Sequence, residues 1–309
     1  MILHTGLRTD IPGFYAPWLV QRLREGVVMA RNPYAPRRIL RYRLDPRVVD
    51  LICFCSKNPG PMLPHLPLLS PFGQLWYVTI TPYGRDLEPF VPEKERVLAD
   101  FQALSRFLGS RRIIWRYDPI VLTEKYTPEY HLRAFRAMAR ALRGSTETCV
   151  ISFIDLYQKV RRNFPEAREV PPEIRRELCR EMVQIARENQ MQLRTCHEGD
   201  SYTALGAEVS GCMTGELFER ALGMPLTLPG GKRSREGCAC YLGADVGAYD
   251  TCGHLCKYCY ANASPAAVAR NRRLHDPESP LLVGRPGPED LISDAKQVSW
   301  RNGQIRLDF

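Results

Sequence analysis

Residues 48–59 read VVDLICFCSKNP, a nearly unbroken apolar run that ends in Ser56-Lys57-Asn58-Pro59. A strand apolar on both faces belongs in a parallel sheet covered on both sides, not in a sheet with one wet face. The polar end marks where the strand would leave the core. Working outward, the same pairing of an apolar strand with a polar end recurs. Residues 1–6 form a strand expectation that leads into Arg8-Thr9-Asp10, where Asp10 can cap a helix carrying Pro12 in its first turn. That helix is expected over 13–25, followed by strands at 27–30, ending in Arg31-Asn32-Pro33, and at 37–44, which alternates basic and apolar residues.

Further strands are expected at 75–80, 112–115, 149–153 and 192–195, with helices at 94–108, 128–142 and 172–189 between them. Their ends carry Thr81, Arg116-Tyr117-Asp118, Asp155 and Cys196-His197-Glu198. Alternation of this kind argues for parallel βα units. The fold class expected is therefore α/β: a βα barrel or partial TIM-like barrel over residues 1–200, with a cysteine-rich, cluster-binding extension over 201–309. In a barrel the site lies at the C-terminal strand ends. Arg8, Asp10, Lys57, Arg116, Asp118 and Asp155 are the catalytic candidates, and Arg31, Asn32, Asn58 and Glu198 the cofactor-binding ones. His4 and His197, also at strand ends, read as satisfied polar neighbours.

The chain has 11 cysteines, which in a sequence without a basic-then-apolar leader argues against a disulfide framework. Cys53, Cys55, Cys149 and Cys179 fall in apolar or amphipathic segments and read as packing thiols. The others lie between Cys196 and Cys259. Residues 251–262, TCGHLCKYCYAN, set Cys252, Cys256 and Cys259 at C-x3-C-x2-C spacing. One short loop can thus hold three irons of a cubane cluster. Two alternatives use the same residues: a zinc site pairing Cys256 and Cys259 with Cys238 and Cys240, or a cluster closed by a fourth cysteine. Cys196, Cys212, Cys238 and Cys240 remain, four thiols, the number for a second cluster or a zinc. Gly253 gives the loop room for a tight turn, and the loop is expected to fold back over the strand ends.

Composition narrows the function classes. The 309 residues are 44% hydrophobic, enough for a sizeable core, with no apolar run long enough for a membrane span. A net charge of +9 favours anionic partners, a small anionic substrate or nucleic acid. Arginine is spread along the chain without an arginine–aromatic repeat, and KRSR at 232–235 is the one basic cluster noted. No H-E-x-x-H helix, G-x-S-x-G elbow or glycine-rich phosphate loop is present. The proline-rich tail, 275–309, reads as an extended strap.

The cysteine spacing, with Tyr258 just before the last cysteine, resembles that of radical S-adenosylmethionine (SAM) enzymes, although their motif usually lies near the start of the barrel. The resemblance implies a 4Fe-4S cluster whose fourth iron binds SAM, with Tyr258 packed against one or the other. It also implies a reductant such as ferredoxin or flavodoxin. CKYCYAN is similar to the cluster loop of spore photoproduct lyases, which repair DNA. A broader resemblance rests on RTDIPGFY at 8–15, RNP at 31–33, KNP at 57–59 and TPYG at 81–84. WRYDPI at 115–120, ISFIDLY at 151–157, GAYDTCGHLCKYCYAN at 247–262 and HDPESPLL at 275–282 extend it. Together these resemble the family called domain of unknown function 1848, which implies a bacterial, cytoplasmic protein. The function expected is a radical SAM-type enzyme acting on a small, anionic substrate. The alternative is a zinc- or cluster-stabilised nucleic-acid-binding or DNA-repair protein.

Overall fold

In the computed structural model, residues 1–230 and 240–302 are described. The chain opens with β1 (Ile2–His4), α1 (Ile11–Phe14), α2 (Ala16–Glu25), β2 (Val27–Arg31), β3 (Arg38–Arg43), β4 (Leu51–Ser56) and β5 (Gly73–Thr79). It continues through α3 (Lys94–Leu108), β6 (Ile113–Ile120), α4 (Pro128–Leu142), β7 (Thr148–Phe153), α5 (Gln158–Asn163), α6 (Pro172–Glu188) and β8 (Gln192–Thr195). It ends with α7 (Gly215–Leu222), β9 (Ala244–Asp245), α8 (Pro265–Arg273) and β10 (Leu291–Asp294).

Seven strands form one sheet in the order β8-β7-β6-β5-β4-β1-β9, and every pairing in it is parallel. From β4 to β8 each strand lies beside its predecessor, as successive βα units require. The edges β8 and β9 are not paired with each other, so the sheet is open and the protein is α/β with a flanked parallel sheet. Helices α3, α4 and α6 supply crossovers. Between β4 and β5 the crossover is a 3-10 run, Gly60–Leu69, not an α-helix. Pro61, Pro64 and Pro67 lack the amide hydrogens an α-helix would use.

Alternation along the strands sorts side chains onto two faces. One face, with Leu3, Phe54, Trp76, Trp115 and Ile151, is buried with residues of α2, α3, α4 and α6. The rings of Phe54 and Trp76 stack at 4.0 Å between centroids, and Trp115 stacks on Phe135 of α4 at 4.7 Å. The other face, with Ile2, Leu51, Cys53, Cys55, Leu75, Tyr77, Ile114 and Val150, buries α7 through Leu217, Phe218 and Ala221. Residues after 200 therefore fill the inner face of the sheet, and β9 extends its edge beside β1.

The strands at 27–31 and 38–43 correct the expectation of another parallel unit. They pair antiparallel, Val27 opposite Arg43, and form a separate three-stranded sheet with β10. The link between them, residues 32–37, is too short for a parallel crossover, which needs a dozen residues or more. The tail expected as a strap supplies a strand, β10 pairing parallel with β3. Beyond β10, Asp50 accepts hydrogen bonds from Ser299 Oγ at 2.6 Å and the Trp300 N–H at 2.7 Å. Among the described residues no helix is long and apolar enough to cross a membrane.

Candidate functional site

The C-terminal strand ends converge on a cavity of about 250 Å³. Arg8, Asp10, Lys57, Arg116, Asp118 and Asp155 all line it, together with Cys196 from the end of β8. Cys252, Cys256, Tyr258 and Cys259 line it too, so the cysteine loop lies over the strand ends. That loop is fastened from several sides. Tyr15 donates to the Thr251 carbonyl at 2.7 Å, the Lys257 N–H to Leu87 at 3.0 Å, and Lys159 to Ala261 at 3.2 Å.

Asp10 joins three elements at this mouth. Its Oδ1 accepts from the Gly13 N–H at 2.8 Å, the expected helix cap, and from Ser56 Oγ at 2.7 Å. Its Oδ2 accepts from the Lys57 N–H at 2.8 Å and lies 2.8 Å from His254 Nε2. The carboxylate thus ties α1, the end of β4 and the cysteine loop together, and its acceptor sites are occupied. The other imidazole nitrogen of His254 lies 3.2 Å from the Phe90 carbonyl. Gly253 serves close packing: a Cβ there would sit 2.8 Å from the Phe14 ring. The left-handed turns of the loop fall instead on Asp250 and Leu255, at φ of 57° and 53°.

Glu88 is the buried anion of the mouth, and nothing in the sequence pattern around it signals that role. Its side chain is fully buried, 2.7 Å from Lys57 Nζ and paired with Lys94. It also accepts from the hydroxyls of Thr81 and Tyr258. Burial alone would raise its pKa, but Lys57 and Lys94 outweigh that and hold it at about 2. Burial opposes the charge on Lys57, yet Glu88 leaves it net raised; Lys94, beside both Glu88 and Lys57, is net lowered. Burial drives the Tyr258 hydroxyl well above its ordinary range. The Lys57 ammonium stands 5.6 Å from the Tyr258 ring centroid.

The cations expected as clamps have anionic partners already. Arg8 pairs with Asp245 at 2.8 Å, Lys57 with Glu88, and Arg116 with Asp118, which also accepts from Ser152. Formal charges are thereby matched at each position. Among the described residues lining the mouth, Thr9 Oγ1 and Arg116 Nε are buried without a protein partner; Asn58 Oδ1 and Asn262 Oδ1 are also unpaired, on residues that do not line it. Buried polar groups are normally satisfied, so this cluster suits a ligand.

Four expected cofactor-binding positions do not line the cavity. Arg31 is paired with Asp290, and Asn32 accepts from the Tyr34 N–H at 2.9 Å in the β2–β3 link. Both were displaced by the hairpin pairing that replaces a parallel unit. Asn58 flanks the cavity, with its N–H donating to Ser56 Oγ at 2.9 Å. Glu198 accepts from the Phe153 N–H at 2.7 Å and faces Arg175 at 3.2 Å; burial pushes its pKa up to about 7.

A second cysteine set converges on the inner face of the sheet. Cys196 Sγ lies 3.2 Å from Cys212 Sγ, which lies 3.3 Å from Cys240 Sγ, and the three fall within 4.8 Å of one another. The Cys212 N–H donates to Cys240 Sγ at 3.3 Å. Hydrogen bonds from Cys196 and Cys212 draw the Cys240 thiol far below its ordinary range. Cys238, expected to join them, lies outside the described residues, as does KRSR at 232–235. The loop set is looser: Cys252, Cys256 and Cys259 do not gather within 4.8 Å, and burial pushes all three thiols up. His4, read from sequence as a satisfied neighbour, is fully buried with neither ring nitrogen partnered among the described residues.

A family model described as a domain of unknown function, DUF1848, matches residues 2–261, ending just past the last cysteine of the loop. Comparison with curated proteins finds no match.

Proposed function

The chain belongs to the DUF1848 family, and we propose that it is an iron–sulfur enzyme of radical SAM type. One observation carries the reading: Cys252, Cys256 and Cys259 share a cavity with the strand-end residues Arg8, Asp10, Lys57, Arg116, Asp118 and Asp155. The loop thiols are spread rather than gathered to a point, which suits ligands bound to separate irons of a cubane. The unpaired Thr9 and Arg116 atoms on residues lining the mouth fit a polar ligand. We read the singly wound parallel sheet as a partial βα barrel, with its site at the C-terminal strand ends.

In this reading the three cysteines hold a 4Fe-4S cluster and leave one iron open for SAM. Cluster and cofactor, when bound, supply one-electron cleavage of a sulfonium carbon–sulfur bond, with an external donor such as ferredoxin or flavodoxin. The chain supplies binding, orientation and a dry site. Asp10 and His254 hold the loop in register with the strand ends. Tyr258, pinned by Glu88, closes the side near Lys57 and excludes water. The matched charges at Arg8, Lys57 and Arg116 favour a ligand bearing both signs, as the aminoacyl end of SAM does, over a purely anionic one.

The test is anaerobic purification with iron and sulfide analysis, then electron paramagnetic resonance of the reduced protein with and without SAM. The expected result is about four irons bound by the loop and a spectrum that changes on adding SAM. Iron absent, or a cluster spectrum indifferent to SAM, would overturn the reading.

A further inference from the structure

We propose that Cys196, Cys212 and Cys240 form a separate centre for one thiophilic divalent ion. The spacing decides between one ion and a cubane. A tetrahedral ion with metal–sulfur bonds of about 2.3 Å separates its thiolates by roughly 3.8 Å. The observed 3.2 and 3.3 Å contacts converge on such a point. A cubane holds each thiolate on a different iron and spreads them wider.

The three thiols come from chain points that only the fold unites. Cys196 ends β8. The chain then returns along that strand, where the Glu208 N–H donates to Leu193 and the Thr195 N–H to Glu208, both at 2.9 Å. Arg194 steadies this return through Ser210 at 3.1 Å and pairs with Glu216 of α7. Cys212 enters the inner face, where Tyr77 donates to its carbonyl at 2.8 Å. Cys240 arrives from the far side of α7, and the Cys212 N–H pointing at its sulfur is the hydrogen bond a thiolate takes.

His4 stands on the same face of the sheet. It lies in register with Cys53 of β4, on the face that buries Cys53, Cys212 and Cys240 together. Its two ring nitrogens are buried and unpaired among the described residues, but they do not gather with the three sulfurs within 4.8 Å, so His4 is not counted as a ligand. Thiolates at such spacing are an established part of tetrahedral zinc sets. Binding releases the thiol protons to solvent, so the site tightens as pH rises. The ion would pin the α7 segment to the sheet, and through Cys196 it would form part of the cavity wall.

The experiment uses the full chain and measures zinc, iron and sulfide in three forms: wild type, a Cys252→Ala/Cys256→Ala/Cys259→Ala variant, and Cys212→Ala. About one zinc per chain should persist in the triple variant and be lost in Cys212→Ala. Because Cys212→Ala can fail by misfolding, protein made in cobalt-supplemented medium gives a second reading. Wild type and the triple variant should show thiolate-to-cobalt charge transfer, and Cys240→Ser should weaken it. A triple variant free of metal, or one carrying iron and sulfide in place of zinc, overturns the single-ion site. A triple variant without thiolate-to-cobalt charge transfer overturns it as well. The triple variant lacks the loop ligands, so this outcome is independent of the radical SAM reading.

Discussion

The two sets of three cysteines are built in opposite ways, and of the core set Cys196 lines the cavity with the loop set. Cys252, Cys256 and Cys259 ride on a single loop, fastened from outside by Asp10, Tyr15 and Lys159. Cys196, Cys212 and Cys240 come from separate chain segments and are drawn together by β8, α7 and the approach to β9. The loop set spreads its sulfurs around open space, whereas the core set closes on a point. Local spacing can place thiols for a cluster. Only long-range packing can gather thiols this distant in sequence, so the core set depends on the fold and should help hold it.

The largest expected contrast is in metal content. Cys256→Ala should abolish iron retention by the loop, while zinc in the core set stays, as read by elemental analysis of both proteins. Equal loss of both metals would show that the two sets form one centre. Next comes the packing behind the core set. Phe218 of α7 is fully buried against the inner face. Phe218→Ala should cost about 3–5 kcal/mol in denaturant unfolding and speed zinc loss to a chelator, with iron in the loop little changed.

The loop side should fail in acid. Glu88 is held at about 2 against an ordinary 4.5. A carboxylate lowered by folding contributes stability that is full above pH 4.5 and is lost as pH falls toward 2. The difference corresponds to about 3 kcal/mol. Glu88→Gln should remove that acid-side slope and, by leaving Lys57 and Lys94 without their anion, destabilise the protein at neutral pH by a similar amount. Urea unfolding from pH 7 to pH 2.5 checks both effects. The smallest effect concerns the entry to α7. Thr214 accepts from the Leu217 N–H at 3.4 Å, a long cap bond. Thr214→Ala should cost about 0.5–1 kcal/mol and loosen zinc without touching iron.

Legibility in the sequence followed the range of the interaction. The run at 48–55 announced a strand buried on both faces, and Leu51–Ser56 is buried throughout. The cap at Asp10 was readable because its partner, Gly13, is three residues away. The hairpin at β2 and β3 was misread as another parallel unit although the short link between the strands already argued against it. Arg31 and Asn32 left the mouth with it. Glu88 gave no signal, because Lys57 and Tyr258 reach it from distant segments and Lys94 alone is a near neighbour in sequence.

The sequence by itself determined the alternation of parallel units, the polar strand ends and the three-cysteine loop, since each rests on neighbours a few residues apart. The tertiary structure alone decided that α7 fills the inner face and that Cys196, Cys212 and Cys240 come together. It also left His4 buried without a partner. The physical reason is that periodicity encodes which face of a segment is apolar. Which segments then share that buried face is set by packing the whole chain around one sheet.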